Sequence, residues 1–124
     1  MELLVVIIIV GILGALALPD FGGSKERALD KEGKAVLRLI QAAEKIYRME
    51  LTRYYPYAGG TDNTISTINQ YLRLSLPGGS KWTYTVDATN QKADASRGAG
   101  KRIFSIPFTS DTITCTAADG SCPP

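Results

Sequence analysis

Few residues in this 124-residue chain have the type and spacing to do chemistry. Cys115 and Cys122 stand near the C-terminus, and the turn-forming pair Asp119-Gly120 lies between them. Their spacing suits a small disulfide loop in an oxidising compartment, with a reduced pair as the alternative. A redox dithiol would want Cys-x-x-Cys, and a zinc site would want two further ligands; neither pattern is present. Histidine is absent, which removes the commonest general base and the commonest transition-metal ligand. There is no clustered carboxylate pair, no glycine-rich phosphate loop and no nucleophile beside a base. No catalytic, metal-binding or cofactor-binding residue is therefore assigned, and the expectation is a protein that is not an enzyme and needs no cofactor. Lys81, Lys101 and Arg102 form a weak basic patch, for which a solvated surface is the default reading. Fourteen Lys and Arg against twelve Asp and Glu leave no concentrated basic surface, so no specific nucleic-acid partner is indicated.

The remaining chemical group of note is Glu2, which heads an apolar run. Leu3 to Leu18 read LLVVIIIVGILGALAL, with no charge among them. As a helix this run reaches about 24 Å, short of a bilayer core of about 30 Å unless residues upstream contribute. A secretory signal peptide has an apolar core of similar length, but no basic residue precedes the run and an acid stands at its head. A carboxylate buried at the end of an apolar helix costs several kcal/mol unless it finds a partner. The alternative is that Glu2 sits in the headgroup region.

The elements that must position these groups follow in chain order. Gly11 and Gly14 lower helix propensity, and Pro19 removes a hydrogen bond from the ladder, so a kink or melted turn is expected there. Gly22-Gly23 mark a second weak spot. From Ser24, a candidate N-cap, the pattern turns amphipathic: Leu29, Gly33, Val36, Ile40, Ala43 and Tyr47 recur at spacings of four and three, widened by Leu39 and Ile46. The opposite faces carry Lys31, Lys34, Arg38, Glu44, Lys45 and Arg48. The helix should end near Tyr54 and Tyr55, because Pro56 disfavours helix before it. A helix from Met1 to Arg53 would be about 80 Å long. The roughly seventy residues that remain make a domain about 28 Å across, which can cover only the second half. The apolar half must then be buried in lipid or in other copies of itself.

Residues 54–63 are turn-rich, and Thr64 to Leu72 suit a short helix. Pro77-Gly78-Gly79 break the chain. Trp82, Tyr84 and Val86 alternate as a half-buried strand, Phe104, Ile106 and Phe108 as a second, and Ile113 with Cys115 as a third. Pro107 makes the middle one an edge strand or ends it. Asp87 to Gly100 read as a polar loop or a disordered tip. The predicted domains are a hydrophobic N-terminal helix over 1–23 and a globular head over 24–124. The head divides into an amphipathic helix over 24–55, a loop with a short helix over 56–80, and an antiparallel sheet with a disulfide loop over 81–124. The six tyrosines are assigned to packing.

Glu2-Leu3-Leu4-Val5-Val6, continuing to Gly11-Ile12-Leu13 and Ala17-Leu18-Pro19, resemble the N-terminal region of type IV pilins and type II secretion pseudopilins. In that family an acid, an apolar run, a glycine and a proline recur in this register, after a basic leader that a prepilin peptidase removes and a first residue that is N-methylated. The leader and the residues expected before Met1 are absent here. The resemblance implies an α+β, lollipop-shaped subunit, a long N-terminal α-helix with its second half packed on a small antiparallel β-sheet. It implies that Glu2 sets the axial register of assembly by neutralising a neighbour's N-terminal amine. It places filament-core packing on Leu3, Leu4, Val5, Val6, Ile7, Ile8, Ile9, Val10, Ile12 and Leu13, and helix melting or kinking on Gly11, Gly14 and Pro19. The implied partners are identical subunits in a helical filament, the inner membrane before assembly, and the prepilin peptidase with the pilus assembly machinery. The implied location is an extracellular filament on a bacterial surface. A pseudopilin of a type II secretion system and a monomeric membrane-anchored binding module are the alternatives.

Overall fold

The computed structural model describes residues 1–17, 21–98, 101–120 and 122–123. Two helices come first, α1 (Glu2–Leu16) and α2 (Phe21–Leu51), then strand β1 (Thr61–Asp62) and helix α3 (Ile65–Leu72). Four strands follow: β2 (Thr83–Asp87), β3 (Lys92–Ser96), β4 (Ile103–Pro107) and β5 (Thr114–Thr116). The five strands form one antiparallel meander in the order β1-β2-β3-β4-β5. This is the α+β arrangement implied by the resemblance, a long N-terminal helical stretch followed by a small antiparallel sheet. The chain divides into two compact units, Met1–Asp30 and Lys31–Pro124.

In the second unit the core lies between α2, α3 and one face of the sheet. Leu37, Ile40, Ala43 and Tyr47 supply the helical side, with Ile68 and Leu72 from α3. Tyr84 and Val86, Ala93 and Ala95, and Phe104 and Ile106 supply the sheet side, each pair two residues apart as the pleat requires. Gly33 is needed where α2 meets Trp82, since a Cβ there would stand 2.8 Å from the indole ring. Gln41 is buried and donates from Nε2 to the carbonyls of Pro107 and Ser110, at 2.7 and 2.8 Å. It thus ties α2 to the end of β4 with its polar group satisfied. Asn69 of α3 clamps Leu76 twice, donating to its carbonyl and accepting from its N–H.

Several expectations change. The helix over the amphipathic stretch begins at Phe21, so Ser24 lies inside its first turns, and Gly22 and Gly23 are helical. It ends at Leu51, not near Tyr55, with Thr52 at φ 61° turning the chain. The early end lets Tyr54 and Tyr55 turn into the core and lets the Tyr55 N–H donate to Glu44 Oε2 at 2.8 Å. The buried stripe of α2 runs through Leu37 and Glu44, whereas Leu39 and Ile46 are exposed. The stretch over 87–100, expected to be a polar loop, contains β3, an interior strand paired on both sides. Its inward residues are only alanines, both fully buried, with Ala95 between Tyr84 and Phe104 and Ala93 between Val86 and Ile106. The turn before it is built by Asp87, whose carboxylate accepts from the Asn90 N–H and side-chain amide, with Gln91 at φ 53°. Pro107 does end β4, as its missing N–H requires.

Candidate assembly site

In α1 Val, Ile and Leu fill almost every position from Leu3 to Leu16, so the helix is apolar all round and has no polar face to give to water. None of its residues is buried, and each large apolar side chain from Leu3 to Leu16 is more than half exposed. Glu2 stands in the first turn, where a carboxylate suits the positive end of the helix dipole. Among the described residues Glu2 has no ion pair. Gly11 and Gly14 lie in regular helix, and a Cβ on either would meet nothing within 4 Å. The helix closes with the Ala17 N–H donating to the Leu13 carbonyl at 3.1 Å. The expected kink at Pro19 lies outside the described residues. Fifteen residues make a helix of about 22 Å. Among the described residues no helix is long and apolar enough to cross a membrane.

The outward face of α2 carries a second apolar surface. Leu39 is 47%, Ile46 54% and Met49 76% exposed, on a face that also shows Ala35 and Ala42. These five positions recur at spacings of four, three, four and three, the signature of one continuous helix stripe. Periodicity alone turns Leu39 and Ile46 inward, because apolar residues occur on both sides of this helix. An unpartnered apolar stripe of this kind marks a contact surface.

Cys115 and Cys122 are joined in a disulfide with their Cα atoms 5.9 Å apart, which ties β5 to the C-terminal tail. Among the described residues, no cluster of three or more His, Cys, Asp or Glu could hold a metal ion. Tyr47, Tyr54, Tyr55 and Tyr84 are buried, and Tyr47, Tyr55 and Tyr71 pack ring against ring.

Over 79 residues the chain is 36% identical to the type IV major pilin protein PilA of Myxococcus xanthus, a match covering 63% of the chain and 36% of that relative. This supports the type IV pilin family. The matched stretch spans about a third of the pilin's own length. No family model matches the chain, and no solved structure matches it.

Proposed function

We propose that this chain is a structural subunit, not an enzyme, that polymerises through α1 into an extracellular type IV pilus filament. The observation that carries the reading is α1 itself, apolar on every side with no buried residue and an acid in its first turn. Such a surface in water is costly at about 25 cal/mol per Å² of apolar area, so it requires cover along its whole circumference. Copies of the same helix supply that cover, and the outward stripe of α2 offers a separate contact surface. Glu2 limits the registers available, because an unpaired carboxylate among apolar helices is penalised and pairing with a neighbour's terminal amine removes the penalty. Leu3 to Leu13 pack the filament core, while Gly11, Gly14 and Pro19 permit the helix to unwind there. Before assembly the inner membrane holds the subunit, which a prepilin peptidase and the assembly machinery process and insert. The likeness to a major pilin supports the choice of a pilus over a secretion pseudopilus.

The test is electron microscopy of filaments sheared from cells, with helical reconstruction, for the unaltered chain and Glu2→Ala. Filaments with α1 at their centre, lost or sharply reduced in the Glu2→Ala cells, are expected. Retention of the protein in the membrane fraction with no filament carrying it would overturn the reading.

A further inference from the structure

The end of α2, the turn after it and the β2–β3 turn enclose an open cavity of about 300 Å³. Arg48 and Arg53 line it together with Thr52, Tyr54, Tyr57 and Gln91, and no carboxylate is among the described residues that line it. Neither arginine takes part in an ion pair among the described residues; the pairs formed there are Lys45–Asp111, Arg73–Glu50 and Lys92–Asp94. Each guanidinium instead lies against a tyrosine ring. Arg48 Cζ is 4.9 Å from the Tyr54 centroid, and its Nη1 donates to the Tyr54 hydroxyl at 2.9 Å. Arg53 Cζ is 5.3 Å from the Tyr57 centroid. Stacking of this kind fixes the planar donor forks in advance, which lowers the entropy lost when they close on a ligand.

An arginine in the last turn of a helix is ordinarily explained by the dipole, and Arg48 fits that account. Arg53 does not, since it follows the helix end and faces the same cavity. Two positive groups around one concavity with no counter-charge among the described lining residues repel each other, and an anion between them relieves that repulsion. We propose that this cavity is a binding site for an oxyanion, a carboxylate or phosphate group, held by the donor forks of Arg48 and Arg53. Both arginines are exposed, so binding is weak and falls with salt.

The test uses the full ¹⁵N-labelled chain in nonionic detergent micelles, titrated with inorganic phosphate or with glucuronate at constant ionic strength set by sodium chloride. Saturable amide shifts are expected at Thr52, Tyr57, Gly59 and Gln91. Arg53→Gln should weaken the response about tenfold, as loss of a charged hydrogen bond does, whereas Arg73→Gln, whose guanidinium pairs with Glu50, should not. Saturation by only one anion supports the site and names which group it takes. Shifts linear in concentration for both anions, or unchanged in both Arg48→Gln and Arg53→Gln with the rest of the spectrum intact, overturn the proposal.

Discussion

Glu44 holds its carboxyl group in the middle of the core, with no exposed surface. One oxygen accepts the Tyr55 N–H; the other, Oε1, has no hydrogen-bond partner among the described residues. Burial pushes its pKa up to about 7, although the bond from Tyr55 pulls the other way. The nearby Tyr47 phenol is itself pushed up, by burial and then by the Glu44 charge, so it does not titrate in the same window. In the unfolded chain Glu44 ionises near 4.5. Between these values the folded chain holds a proton that the unfolded chain has lost. This contribution to stability is thus full below pH 4.5, declines as pH rises, and is gone above about pH 7. The change is on the order of 3 kcal/mol at most. Glu44→Gln keeps an acceptor for the Tyr55 N–H without the charge. Urea unfolding should find the variant more stable than the parent at pH 8 and its profile flatter from pH 5 to 7. Parallel profiles would rule this account out.

Among the described residues, β5 is a three-residue edge strand whose only lateral partner is β4. The Cys115–Cys122 bridge limits how far the unfolded tail can wander, which for so short a loop contributes about 2 kcal/mol on the chain-entropy account. Reduction should therefore speed amide exchange in β5 while leaving β2 and β3 protected, as read by hydrogen exchange with and without dithiothreitol. Equal acceleration across the sheet would mean that the bridge supports the whole fold. Interior strand β3 needs no such tie, because it bonds on both edges.

Among the described residues, the core, the disulfide and every strand fall within Lys31–Pro124, whereas α1 contributes no buried residue. A fragment over 31–124 should unfold cooperatively and stay dispersed without detergent. The full chain should associate under the same conditions because α1 has no cover of its own. Thermal melting with analytical ultracentrifugation checks both, and an unfolded fragment would show that the head depends on the N-terminal unit.

Features carried by local signals were legible before any fold was known. The uninterrupted apolar run behind Glu2 dictates an uncovered helix, the four-and-three periodicity dictates α2, and Pro107 dictates the end of β4. The stripe of α2 through Gly33, Ile40, Ala43 and Tyr47 was legible and is buried, but which side of it widens was not. Apolar residues occupy both sides of that helix, so Leu37 and Glu44 could be told from Leu39 and Ile46 only once the sheet was in place. The same holds for β3, whose inward alanines carry too little hydrophobicity to signal a strand until β2 and β4 pair on either side of them. The cavity of Arg48 and Arg53 belongs here too, because the β2–β3 turn that completes it lies far along the chain. Periodicity specifies a helix or strand from neighbours in sequence, but burial is a property of neighbours in space.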